Sequence, residues 1–163
     1  MGSPTTGILP RPMSFVRHRL PAILFAGAVL GMSGPWASAS HTGSWTEPFL
    51  LRLGLPAGLA WAAHQVLRKV GHFAAYGVFG LLALRAVGGG RPPTRGLGLR
   101  ALGLALLLAA ADEALQAFAP DRGGRVLDVL LDGAGAATAL LLVRGVRRPA
   151  APVTPPAGAS PGR

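Results

Sequence analysis

The chain has 163 residues, of which half are apolar and only 13% are charged, and its mean hydropathy is +0.44. An ordinary soluble domain is nearer a quarter charged, and here Leu, Ala, Val and Gly dominate over aromatics, as in packed membrane helices. Cysteine is absent, which excludes disulfides and thiolate chemistry; the net charge of +10 lies in short Arg groups between apolar runs, not on a basic, aromatic-studded helix, so no nucleic-acid partner is expected.

Residues 1–19 form a Pro- and Arg-bearing segment, expected to be disordered to about Ser14. Residues 20–36 are the first apolar run, near the minimum of about 17 residues for a spanning helix. Gly27 and Gly31 give it a small-residue packing face, a signal of low specificity in so Gly-rich a chain. The run has a second reading. Arg17 and Arg19, a short apolar core and Ala37-Ser38-Ala39 also fit a cleaved signal peptide. A retained helix is the preferred reading.

Residues 40–55 read as polar and turn-rich. Residues 55–67 carry Pro56, Gly58, Trp61, His64 and Gln65 and read as an interfacial or partly re-entrant helix, with Trp61 and His64 at the headgroup level. The second span is 71–87, ended by Gly88-Gly89-Gly90-Arg91-Pro92-Pro93. The third is 97–118, a tight connection covers 119–125, and the fourth span is 126–143. The tail, 144–163, is rich in Arg, Pro and Ala and reads as disordered. The expected fold is all-α: one polytopic membrane bundle over 20–143, with about four transmembrane helices and a short interfacial helix.

Basic residues orient the bundle. Eleven of them (Arg11, Arg17, Arg19; Arg85, Arg91, Arg95, Arg100; Arg144, Arg147, Arg148, Arg163) fall on the side of the N-terminus, the second loop and the tail. Five (Arg52, Arg68, Lys69, Arg122, Arg125) fall on the other. The richer side is expected to be cytoplasmic, which puts both termini inside and the first and third loops outside.

This topology gathers polar residues at the outward ends of the spans. Lys69, His72 and Tyr76, at i, i+3 and i+7, share one face of the second span; Glu113 and Gln116 share a face of the third; Asp128 and Asp132 share a face of the fourth. At 1.5 Å per residue, Glu113 and Asp132 sit roughly 5–10 Å inside their helix ends. A charged residue at a span's centre costs about 2.5–3.5 kcal/mol, and less toward the interface. These carboxylates therefore require partners or a water-filled pocket. Glu113 and Asp128 are expected to meet across the third loop with Arg122 between them, while Gly135 and Ala139 let the fourth span pack closely. Asp112 lies on a different face from Glu113 and is assigned to water or another partner; Asp121 and Arg125 are assigned to solvent.

Lys69-x-x-His72-Phe73-x-x-Tyr76, Asp112-Glu113-x-x-Gln116-x-Phe118-x-Pro120-x-Arg122 and Asp128-x-x-x-Asp132-x-x-Gly135, in that order on successive apolar spans, resemble the VanZ-like family. The resemblance covers residues 66–143 well and the rest by general layout. It implies a small multi-span protein of the bacterial plasma membrane; the family's namesake is associated with resistance to the glycopeptide teicoplanin. One position departs from the pattern: the family often has Asn where this chain has Asp132, and the added carboxylate would make a shared hydrogen-bonding role pH-dependent.

The expected site is the cluster Lys69, His72, Tyr76, Glu113, Gln116, Arg122, Asp128 and Asp132, with membrane lipids, a cell-wall precursor or a glycopeptide as partners. A rival reading makes it an acid/base enzyme on a lipid-linked substrate, with His72, Glu113 and Asp128 as the catalytic candidates. A third makes the chain a structural subunit, with a snorkelling Lys69, an interfacial His72–Tyr76 pair and a hairpin-fixing ion network. No HExxH, P-loop or GxSxG motif is present. A metal set of His72, Glu113, Asp128 and Asp132 is conceivable, but one His among carboxylates is not diagnostic; no metal and no cofactor is expected.

Overall fold

The structure, a computed structural model, describes residues 12–34, 39–118 and 125–146. The N-terminal segment before Pro12, the signal-peptide motif at Ala37 and Ser38, the connection carrying Pro120, Asp121 and Arg122, and the tail from 147 onward lie outside the described residues. Six helices follow one another: α1 (Pro12–His18), α2 (Leu20–Met32), α3 (Ala39–Arg52), α4 (Ala57–Gly88), α5 (Arg95–Ala117) and α6 (Val126–Val146).

The first two helices are nearly continuous. The amide of Arg19 bonds to Phe15 O at 2.9 Å and that of Ile23 to Arg19 O at 3.1 Å, while Pro21 withholds a donor from the junction. The apolar α2 ends at Met32, thirteen residues and about 20 Å long. Alone it falls short of a hydrocarbon core of about 30 Å.

Two sequence expectations are corrected here. Residues 39–52 form a helix, not turns. Its Ser and Thr side chains bond back onto helix carbonyls, Ser44 to His41 and Thr46 to Thr42, and its packing on α4 outweighs Pro48 and the polar composition. The expected interfacial segment and second span are one uninterrupted helix, α4, of 32 residues. Hydropathy falls at Arg68-Lys69, but neither residue breaks a helix. Pro56 stands just before α4, where its missing N–H costs nothing, and a single Gly71 costs only about 1 kcal/mol. At roughly 48 Å, α4 is longer than a bilayer's hydrocarbon core of about 30 Å.

The turn after α4 follows its chemistry. Gly89 takes the left-handed conformation (φ 56°) that closes a helix at least strain. Pro92 and Pro93 prevent continuation, and Thr94 caps α5 by accepting the Leu97 amide at 3.3 Å.

The helix directions follow from what meets what. Lys69 meets Asp128, His72 meets Asp132 and Gly77 faces Ala139, so α4 and α6 run the same way. Tyr76 meets Asp112 while Gly88 faces Leu97, so α5 runs against α4. His18 lies against Gly90 and Ser33 reaches Asp112, so α2 runs alongside α5. Helices α4, α5 and α6 pack mutually, α2 leans on α4 and α5, and α3 leans on α4.

The packing is inverted relative to a soluble core. Small residues fill the interior, including Ala83, Ala101, Ala105, Ala109 and Ala136 around Tyr76, Phe79 and Leu108. Large apolar side chains such as Leu24, Leu107, Leu141 and Leu142 point outward. Water would penalise that arrangement, whereas lipid accommodates it and small residues let helices approach. The tightest approach is α4 on α6: a Cβ placed on Gly135 would collide with the backbone carbonyl of Phe73. Gly135 and Ala139 thus act as expected from the sequence. Gly27 and Gly31 do not, since nothing lies within 4 Å of a Cβ at either. Two helical stretches, Ala57–Gly88 and Val126–Arg144, are long and apolar enough to cross a membrane, and α2 is a shorter apolar helix.

Candidate functional site

The polar residues gather at one end of the bundle but divide into two layers. The outer layer contains two contacts. Lys69 Nζ donates to Asp128 Oδ1 at 2.5 Å, with both side chains substantially exposed. Glu113, buried on α5, accepts from the backbone N–H of Arg125. The carbonyl of Arg125 in turn receives the Asp128 amide at 2.9 Å and begins α6. Glu113 therefore fastens the start of α6 to the end of α5. Glu113 and Asp128 both reach the backbone of Arg125, but their side chains bond to different groups; Arg122, expected between them, lies outside the described residues.

The inner layer is built by α2, α4, α5 and α6. Tyr76 on α4 is 1% exposed and donates its hydroxyl to Asp112 Oδ2 at 3.3 Å. His72, one turn earlier on the same face, stacks on Tyr76 with ring centroids 6.5 Å apart and planes at 15°. Its Nδ1 lies 3.5 Å from Oδ2 of Asp132, which is 2% exposed. Ser33, just past the end of α2, places its hydroxyl between Val29 O at 3.1 Å and Asp112 Oδ1. One donor atom each from His72, Asp112 and Asp132 lies within 4.8 Å of the other two.

Asp112, assigned to water or another partner and left out of the expected cluster, takes the second of these and has Ser33 and Tyr76 as partners. It is 2% exposed and central, not turned to water. The signal existed: Ala101, Ala105 and Ala109 are all buried, and continuing that stripe by one turn reaches Asp112 and Glu113. Ser33 was missed because a lone Ser at a helix end carries no pattern.

A cavity of about 280 Å³ opens beside this layer. Val29, Met32 and Ala75 give it apolar walls, and Arg68, His72, Tyr76, Asp112 and Gln116 line it with polar groups. Arg68 also donates to Thr42 Oγ1 at 3.0 Å, which ties α3 to α4. Close by, Thr46 Oγ1 and His64 Nδ1 are 2.6 Å apart, and His64 is buried at 2% exposure. Of the expected cluster, then, His72, Tyr76 and Asp132 converge and Gln116 lines the cavity beside them. Lys69 and Asp128 form a separate exposed pair, and Glu113 serves the backbone of the hairpin.

The structure also bears on the conceivable metal set. It removes Glu113 and Asp128 from that set and substitutes Asp112.

Neither the curated proteins nor the solved structures contain a match to this chain. The family model described as VanZ/LLP1 matches residues 16–147, a region that takes in all of α2 to α6 and every residue of both polar layers. With the apolar helices long enough to cross a membrane, this supports a membrane protein; the chain belongs to the VanZ/LLP1 family.

Proposed function

We propose that this chain is a multi-pass protein of the bacterial plasma membrane, with four spans and both termini inside, that binds the polar head of an amphipathic envelope molecule. A membrane lipid or a lipid-linked cell-wall precursor is the class of ligand. The observation that supports this reading is the cavity itself, in which apolar walls adjoin a group of charged and hydrogen-bonding side chains. Sites for such ligands combine a largely apolar lining with a few placed polar groups. The guanidinium of Arg68 suits a phosphate, while Asp112 and Gln116 suit hydroxyl or amine groups. The Lys and Arg distribution supports an outward position for this end, the side where cell-wall precursors are used and where a glycopeptide would act, so altered susceptibility to such antibiotics is the expected phenotype.

The test is lipid retention. Wild-type protein extracted from bacterial membranes should carry a lipid visible by native mass spectrometry, and Ala75→Phe, which fills the cavity wall, should lose it. An Ala75→Phe variant that folds and keeps the same lipid would overturn the reading. A deletion strain complemented by each form and exposed to envelope-targeting antibiotics then ties binding to phenotype.

A second reading has one observation behind it. His72 lines the cavity with Asp132 at 3.5 Å behind its Nδ1, an arrangement that can hold an imidazole for general acid/base work. Turnover of a lipid-linked substrate by wild type, lost in His72→Gln, would select the enzyme over the binding protein.

A further inference from the structure

Among the described residues, the inner carboxylates have few donors for their burial. Asp132 Oδ1 is buried without a hydrogen-bond partner among the described residues. The other oxygen has only His72 Nδ1 at 3.5 Å, beyond a good hydrogen-bond length. Asp112 is supplied by two neutral hydroxyls, those of Ser33 and Tyr76. The basic side chains next along α4 are engaged on other groups, Arg68 with Thr42 and Lys69 with Asp128. Among the described residues, the two buried carboxylates share one imidazole, with Arg68 on the wall of the adjoining cavity. Such an arrangement is unfavourable unless a positive charge joins it or a carboxyl takes up a proton.

We propose that His72, Asp112 and Asp132 form a binding site for a divalent first-row transition-metal ion of the zinc or manganese type. The donor set selects the class. Calcium and magnesium favour oxygen-only shells, whereas one imidazole nitrogen with carboxylate oxygens suits zinc or manganese. The spacing fits as well. Metal bonds of about 2.0–2.2 Å place donors on one ion roughly 3–3.5 Å apart, and the three donors already lie within 4.8 Å of one another. Side-chain rotation covers the remainder.

The frame around the three donors is suited to holding an ion. They come from three helices, and the tight α4–α6 crossing one turn away fixes His72 relative to Asp132. Tyr76 holds Asp112 by one carboxylate oxygen, as groups behind a metal ligand commonly do. Both His72 and Asp112 line the cavity, which provides an entry path. Three protein ligands leave a coordination position for water or ligand. The ion site does not depend on which molecule occupies the cavity.

The experiment uses the full chain without a His tag, in detergent, stripped with EDTA. Titration with ZnCl2 by calorimetry should show one ion per chain, and CoCl2 should produce visible d–d bands of a nitrogen- and oxygen-ligated ion. Asp132→Asn and His72→Gln should each weaken zinc binding at least tenfold, whereas Asp132→Glu should retain most of it. Glu47→Gln, on α3 and outside both polar layers, should leave binding unchanged. Far-UV circular dichroism reports folding, and His72, being only partly buried, is the position least able to disturb packing. Wild type that binds no zinc and gives no cobalt bands overturns the proposal. Folded His72→Gln that binds as tightly as wild type also overturns it.

Discussion

The α4–α6 seam and the α2 flank are made of the same small residues but used differently. On the seam, a Cβ on Gly135 would collide with the Phe73 carbonyl, and one on Gly80 would fall 3.2 Å from Ala136. On the flank, Gly27 and Gly31 face open space. The seam is therefore a rigid contact that fixes His72 against Asp132. The flank rests loosely enough to leave a cavity between Val29, Met32 and Ala75. A small-xxx-small spacing is a packing element only where a second backbone comes to meet it.

The largest expected effect tests that contrast directly. Gly135→Ala should destabilise the bundle by about 3 kcal/mol or more, the upper end for overpacking, because the obstacle is backbone and cannot rotate aside. Gly31→Ala should change stability by no more than about 1 kcal/mol, in the stabilising direction, through helix propensity alone. Thermal unfolding in detergent compares the two, and equal losses would remove the distinction between seam and flank. Gly80→Ala comes next, at about 1–2 kcal/mol, since Ala136 would have to give way by a few tenths of an ångström.

The same contrast explains what was legible beforehand. The α-helical class, the α6 face carrying Asp132, Gly135 and Ala139, and the α4 face carrying His72 and Tyr76 all follow from spacing. Asp112 did not, because the polar label of Asp obscured its place at the end of a buried alanine stripe. The continuity of α4 did not either: Arg68 and Lys69 interrupt hydropathy, yet both are good helix formers. Helix α3 owes its existence to partners on α4, the pairs Thr42–Arg68 and Thr46–His64, which no local pattern announces. The apolar spans show where helices lie; the polar contacts between them were visible only once the helices were assembled.

Within the polar end, the inner layer should matter more than the outer. Tyr76→Phe keeps the packing of a buried ring and removes the hydrogen bond to Asp112. Hydrogen bonds between membrane helices average about 0.6 kcal/mol and reach about 1.7. A loss of about 1 kcal/mol is expected, because Asp112 would keep only Ser33 as a donor among the described residues. No loss at all would mean that the inner layer is already satisfied by other means.

The smallest effect belongs to the shortest ion pair, and the reason is exposure. Lys69 and Asp128 are 2.5 Å apart, but their side chains are 55% and 31% exposed. Water screens both charges, and holding two side chains in one geometry costs entropy, so exposed pairs contribute about 0.2–1 kcal/mol. Lys69→Met should therefore lower stability by no more than about 0.5 kcal/mol. That difference should shrink further in salt, since the screening length is only about 8 Å at physiological ionic strength. A measured loss above that of Tyr76→Phe, persisting in high salt, would show that Lys69 reaches past Asp128 to the inner carboxylates. It would then supply the positive charge that a metal ion is proposed to bring, so this smallest predicted effect also probes the zinc site.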